Sequence, residues 1–301
     1  TLGQESSSPM PYKSQNNILY KGKATVENGI FSFSFVVPKD IAYNFGSGRI
    51  SYYAVSDDSL TDASGYDESF IIGGTATNIL ADNEGPEIEL FINNEQFISG
   101  GMTNENPLLF ALLSDFSGIN TVGNGIGHDI VAILDEQTNQ SISLNDYYSA
   151  DTDSYQSGKV TYPFYDLAKG HHTLSLKVWD VFNNSSEKTI DFYVSDANEF
   201  SLSELINYPN PFYGSTAFYF EHNRAGELLV IELQIFNLSG QMVASIKENR
   251  FDDGYRVGPI NWNGTTNSGA QLDAGIYLYR FNVTAEDGST QTKAEKLIIL
   301  R

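Results

Sequence analysis

The 301-residue sequence predicts an all-β protein built of tandem Ig-like antiparallel β-sandwich domains. Three observations predict it. Apolar residues recur with a period of two, as in Phe31, Phe33, Phe35 and Val37 and in Leu174, Leu176 and Val178. Clusters of Asn, Ser and Gly separate such segments at the spacing of short strands. The 18 Tyr and 19 Phe suit half-buried sheets, and no long window shows helical apolar spacing.

Residues 1–78 open on a Ser- and Pro-rich stretch and then carry predicted strands at 17–23, 29–38, 49–55 and 68–72. A complete Ig-type sandwich uses about seven strands over ~100 residues. The region is therefore expected to be the C-terminal part of an Ig-like domain without its opening strands. A Gly- and Asn-rich connector follows, with a boundary at Asp82-Asn83-Glu84-Gly85-Pro86. Residues 85–196 offer strands at 87–92, 107–113, 129–134, 141–144, 159–165, 172–179 and 188–194, enough for a full sandwich. Residues 196–203 read as an acidic linker. The last domain, 204–301, has predicted strands at 216–221, 228–237, 241–247, 255–262, 275–285 and 290–300. Asn237-Leu238-Ser239-Gly240 and Asp287-Gly288 read as its hairpin turns, because Asn and Gly tolerate positive φ.

The net charge of −21 and a pI near 4.3 argue against nucleic acid, whose phosphates need Lys and Arg. They disfavour unaided adsorption to an anionic membrane as well. An acidic surface is first a solubility device. The absence of cysteine excludes disulfides, thiolate metal sites and a Cys nucleophile within these residues. No apolar run approaches the ~20 residues of a membrane span. The N-terminus has no signal-peptide pattern and no initiator Met, so the chain is expected to be a piece of a longer protein.

Motifs for chemistry are sparse. Gly123-Asn124-Gly125-Ile126-Gly127 lacks the third glycine and following helix of a dinucleotide loop, and reads as a flexible connection. Adjacent His171 and His172 would face opposite sides of a strand and cannot chelate together. His128-Asp129 has no nucleophile to serve. No catalytic residue and no cofactor is expected. Structural calcium is the one metal considered, with oxygen ligands from Asp82, Glu84 and Glu87 at the boundary or from Asp57, Asp58 and Asp62 in a loop. Neither set has the EF-hand spacing. Aromatic residues at alternating positions, Trp179 and Trp262 among them, are expected to be core, against the alternative of a surface adhesin or carbohydrate-binding tail.

The last hundred residues carry an ordered set of motifs. These are Asn207-Tyr208-Pro209-Asn210-Pro211-Phe212, Gln234-Ile235-Phe236-Asn237-Leu238-Ser239-Gly240, Asn261-Trp262-Asn263-Gly264, Gly269, Asp273-Ala274-Gly275-Ile276-Tyr277-Leu278-Tyr279-Arg280 and Lys296-Leu297-Ile298-Ile299-Leu300-Arg301. Together they resemble the C-terminal sorting domain of cargo of the type IX secretion system of Bacteroidetes, with Asn263 and Asn267 where Asp is common. Upstream, Tyr20-Lys21-Gly22-Lys23, Ile71-Ile72-Gly73-Gly74, residues 118–130 and residues 177–186 resemble the non-catalytic tail of PorU-type sortases, gingipain-like members of peptidase family C25.

The resemblance covers essentially the whole chain and implies a role. The family's peptidase domain lies N-terminal to this region, so no catalytic residue carries over. The implied location is the cell surface and outer membrane, reached by export through the periplasm. The implied partners are an outer-membrane barrel protein of the PorV type, the type IX translocon and the chain's own N-terminal peptidase domain. Secretion and partner recognition would rest on Asn207, Pro209, Asn210, Pro211, Phe212, Gly240, Gly275, Tyr277, Lys296, Leu297 and Arg301. The two upstream domains would serve as spacer and support.

Overall fold

A computed structural model describes residues 18–39, 41, 45–76, 81–122, 127–195, 199–252 and 254–300. Its strands are β1 (Gly46–Ser47), β2 (Ile50–Val55), β3 (Asp62–Asp67), β4 (Ile71–Ile72), β5 (Glu87–Ile92), β6 (Met102–Thr103), β7 (Leu108–Ser114), β8 (Val131–Leu134), β9 (Ile142–Ser143) and β10 (Tyr148–Ala150). They continue as β11 (Ser157–Pro163), β12 (Gly170–Trp179), β13 (Ser185–Val194), β14 (Leu202–Tyr208), β15 (Thr216–His222), β16 (Glu227–Phe236), β17 (Met242–Asp252), β18 (Arg256–Trp262), β19 (Gly275–Thr284) and β20 (Thr290–Ile299). The protein is all-β, and only two single-turn 3₁₀ segments interrupt the strands among the described residues.

The middle sandwich sets a four-stranded sheet, β10-β11-β7-β5, against a five-stranded sheet, β6-β13-β12-β8-β9. The alternation of β12 becomes burial directly, with Leu174, Leu176 and Val178 fully enclosed against Leu109, Ala111 and Val160 of the facing sheet. Its pairings are antiparallel except for the short parallel contact of β6 with β13. The terminal sandwich packs the three-stranded sheet β14-β15-β18 on the four-stranded sheet β17-β16-β19-β20. Its centre is aromatic: Phe218 meets Tyr279 and Phe220 meets Phe281, each pair with ring centroids 4.9 Å apart. Burying rings of this size dominates the energetics of so small a core.

The opening region departs from expectation. Among the described residues 18–38 no strand forms, although 29–38 alternates as a strand should. Alternation supplies a face, but a strand also needs a partner strand for its backbone, and the segment makes only the isolated bridge of Ile30 to Glu27 across a tight turn. Its rings stack on one another instead, Tyr20 on Phe35 at 4.7 Å and Phe33 on Phe35 at 6.3 Å. The paired parts are two small two-stranded sheets, β2-β3 and β1-β4. The segment is tied to the middle sandwich through Thr25, whose amide and hydroxyl both donate to Asp153 at 2.8 and 2.6 Å.

Two further differences concern the terminal sandwich. The acidic linker ends earlier than expected, because residues from Leu202 onward form β14. β17 runs on to Asp252, beyond the expected end at 247.

The middle and terminal sandwiches meet end to end. Glu221, at the end of β15, accepts a hydrogen bond from the amide of Met102 at 3.2 Å and is only 4% exposed. A small crevice beside it is lined by Ile92, Phe97, Met102, Tyr255 and Arg256. Burial pushes the Glu221 carboxyl above its usual range, opposed by the Met102 amide and by Arg256. Next to it His222 is fully enclosed, and burial lowers its pKa to about 4.

A raised carboxyl pKa means that the folded chain holds this proton to higher pH than the unfolded chain does. The ionised form therefore costs stability as pH rises through the folded pKa. Replacing Glu221 by Gln, which keeps the acceptor for Met102 and removes the charge, should raise Tm at neutral pH. The gain should shrink as the pH is lowered toward 4; calorimetry across that range checks it.

Candidate functional site

The candidate residues lie in the terminal sandwich, and its register brings most of them to one end. Phe236 pairs with Leu278, and Leu278 pairs with Lys296, across β16, β19 and β20. The turn holding Gly240, the start of β19 at Gly275 and the end of β20 therefore lie side by side. On the other sheet Tyr208 pairs with Ala217 and Ala217 with Asn261, which brings the 207–212 segment to the same end. The joint with the middle sandwich lies at the opposite end.

The segment 207–212 is bonded to the last strand. Asn210 Nδ2 donates to the Lys296 carbonyl at 3.2 Å, and Asn210 Oδ1 accepts from the Ile298 amide at 2.9 Å. Two residues on, the Phe212 amide donates to the Ile298 carbonyl at 3.1 Å. The Leu300 amide donates to the Phe212 carbonyl at 2.9 Å. Phe212 thus forms a parallel bridge with Ile299. Pro209 and Pro211 carry no backbone donor, so the Asn210 side-chain amide, through one N–H and its carbonyl oxygen, supplies the pairing that backbone would otherwise give. Both X–Pro bonds here, Tyr208–Pro209 and Asn210–Pro211, are cis.

Four of the expected residues, Asn207, Phe212, Tyr277 and Leu297, are buried behind that seam. Phe212 is 1% exposed and lies edge-on to Trp262 at 5.9 Å. Gly264 lies beside the Phe212 ring at φ +72°, a left-handed conformation that favours glycine. Asn207 is buried, donating to the Thr216 hydroxyl at 3.1 Å, while Thr216 donates to the Pro209 carbonyl at 2.8 Å. Leu297 is fully buried opposite Tyr277, whose hydroxyl donates to the Asp273 carbonyl at 3.0 Å. Gly240 closes the β16–β17 turn at φ +80°. Arg301 lies outside the described residues.

Of the expected recognition residues, Asn207, Phe212, Tyr277 and Leu297 are buried in this closure, while Pro209, Asn210, Pro211, Gly240 and Lys296 are exposed. Apolar side chains of the β16–β17 turn and of β17 and β19 are exposed at this end as well. Leu238, Met242, Ile276 and Leu278 are 72%, 48%, 49% and 45% exposed. None of these four was among the expected recognition residues. Their signal was present: β19 places apolar residues at both the inward and the outward positions near its start, where a half-solvated strand has polar ones outward.

Trp262 is core, its indole donating to the Thr265 carbonyl at 3.0 Å. Trp179 is not core; it lies on the outward side of β12 between His128, at 4.3 Å, and the Lys177 ammonium, at 4.7 Å. The alternation explains this, since Trp179 follows the inward Val178. His171 and His172 do face opposite ways, one exposed beside Asp191 and the other buried against Asp135. Asp58 and Asp62 accept hydrogen bonds from Ser56 and Tyr53 and do not gather. Among the described residues the carboxylates that do gather are Asp82, Asp115 and Asp180. Gly123–Ile126 lies outside the described residues.

The comparisons with known proteins bear mainly on sequence. Dimeric latent PorU from Porphyromonas gingivalis matches at 34% identity over 91% of this chain and 26% of that chain, with a TM-score of 0.39. The chain is similar to PorU over nine-tenths of its length. It spans about a quarter of that protein. Fibronectin(III)-like modules of Clostridium thermocellum CbhA match at 11% identity over 71% of this chain and 93% of that one, with a TM-score of 0.26. The chicken CNTN1 FN1–FN3 domains match at 8% identity over 82% and 75%, with a TM-score of 0.25. No protein-family model and no curated protein matches the chain. No helix among the described residues is long and apolar enough to cross a membrane.

The seam makes a measurable demand. Asn210→Ala should destabilise the terminal sandwich by about 1–3 kcal/mol, the cost of losing a side chain that satisfies two backbone groups. Hydrogen exchange should quicken at the Ile298 and Leu300 amides while the core of β16 keeps its protection.

Proposed function

We propose that this chain is the non-catalytic tail of a cell-surface sortase of the type IX secretion system. The observation that carries the reading is the 34% identity to PorU sustained over 91% of the chain. In this reading the terminal sandwich directs export across the outer membrane and holds the protein to an outer-membrane barrel partner. The middle sandwich and the opening region space and support a peptidase domain carried elsewhere in the parent protein. The arrangement of the terminal sandwich suits that division. One end is occupied by the joint at Glu221 and Met102, and the other presents Lys296 and the apolar residues around it.

The geometry also decides how to test it. Cutting off the last five residues would remove Leu297 and Ile299, both buried, along with the pairing partners of Gly275 and Tyr277. Loss of delivery would then report only loss of fold. A better variant joins Ile276→Ser to Lys296→Glu, two changes at exposed positions on the outward face. Carried in the parent protein, it should keep the wild-type Tm but accumulate in the periplasm. Normal display at the cell surface, scored by protease accessibility on intact cells, would overturn the reading.

The same assignment makes the chain catalytically silent. Purified chain incubated with a protein bearing a sorting domain should release no cleaved product above the buffer control, and turnover by the chain itself would contradict it.

A further inference from the structure

The geometry points to an open strand at residues 31–37 that pairs with an extended segment from elsewhere in the parent protein. Phe31, Phe33 and Phe35 stand in a row, with neighbouring rings 11° from parallel and centroids 6.3–6.4 Å apart. That spacing is close to the two-residue repeat of a strand, about 6.7 Å. Ser32, Ser34 and Val36 alternate with them. Yet among the described residues no backbone hydrogen bond forms along 31–37.

The segment is presented, with both of its flanks fixed. Before it, Glu27 and Ile30 close a tight turn with two hydrogen bonds of 2.9 Å. Ahead of that turn Lys23 bridges Thr152, and Thr25 bonds to Asp153. After it, the Lys39 amide donates to the Val181 carbonyl at 3.0 Å. The Lys39 ammonium donates to the Phe182 carbonyl at 3.1 Å and lies over the Phe182 ring. The stretch between is thus spanned across two points of the middle sandwich. Its apolar side is only part-covered: Phe31 meets Tyr52 of β2 at 5.6 Å, and Phe31, Phe33 and Val37 stay 39%, 41% and 47% exposed. β2 and β3 are paired with each other and with no third strand among the described residues. An exposed apolar strand with open backbone groups is a template for another strand.

Three arguments select the occupant. Two copies of this chain would bring −21 against −21, and self-repulsion of that size opposes their pairing. A segment of the same polypeptide pairs intramolecularly, at the roughly mM effective concentration of a tethered partner. The chain spans about a quarter of the length of PorU, so a parent of that kind has chain to supply it. The inference rests in this respect on the proposed reading of the chain as the tail of a longer protein. The occupant should itself alternate apolar and polar residues, to match a strand with Phe on one side and Ser on the other.

Hydrogen exchange on the purified chain and on the parent protein tests this. In the chain, the amides of 31–37 should exchange fast; in the parent they should slow by about 100-fold or more. Phe33→Pro and Ser34→Pro each delete one amide, on opposite edges of the strand. At least one of them should return the neighbouring amides of the parent to fast exchange. Protection already present in the chain would overturn the inference, because the partner would then lie within this chain or in a second copy. Fast exchange in the parent would overturn it too. So would slow exchange that neither proline disturbs, which would mean shielding without strand pairing. Surface display of the parent is scored separately: display with 31–37 unprotected sinks this inference alone, and protection without display sinks the secretion reading alone.

Discussion

The terminal sandwich depends on one seam, the bonding of residues 210–212 to the end of β20. A sandwich of two sheets is open along its sides, and a last strand at a sheet edge leaves a row of unpaired backbone groups. Here the Asn210 amide and the Phe212 backbone take the groups of Lys296, Ile298 and Leu300. The same few residues send Phe212 between the sheets against Trp262. Edge closure and core filling are thus one event. A chain end that would otherwise fray becomes part of the core.

How far this was legible in the sequence depended on how local each cause is. β12 was legible because its inward positions are all apolar and its period is unbroken. β14 was not. Its buried residues are Leu202, Leu205 and Asn207, with a bulge between Ser203 and Ile206 that puts Glu204 at φ +45°. The bulge breaks the period of two, and one inward position is a polar Asn that Thr216 satisfies. The 29–38 segment failed in the opposite sense, with the right period and no paired strand among the described residues. Periodicity reports a face; pairing is a property of some other part of the chain.

The candidate site shows the same limit. The motif at 207–212 was visible as a proline-stiffened turn, and the apolar close of β20 was visible as a strand. That they are each other's partners was not, because a hydrogen bond between Asn210 and Ile298 joins residues 88 apart. The carboxylate cluster is similar. Asp82 lay in a recognisable boundary, but Asp115 and Asp180 reach it only through the topology of two sheets. Nothing in their local sequence distinguishes them from the other acids in a chain of net charge −21.

The seam also constrains how this end can be read by a partner. Two modes are open to an antiparallel sandwich: adding a strand to an exposed edge, or presenting side chains on a sheet face. At the end of β20 the outer edge is already taken by residues 210–212, so strand addition there would first have to displace Phe212 from the core. Losing a buried ring costs about 3–5 kcal/mol, and exposing the backbone groups that the seam satisfies adds to it. Recognition through the outward face has no such cost. There Ile276 pairs across the ladder with Ile298, and Leu278 with Lys296. Arg280, on the same side of β19, is held against Gln234 and not against an acid. This makes a small cationic and apolar island on a strongly acidic protein. The motif residues hold that island in shape.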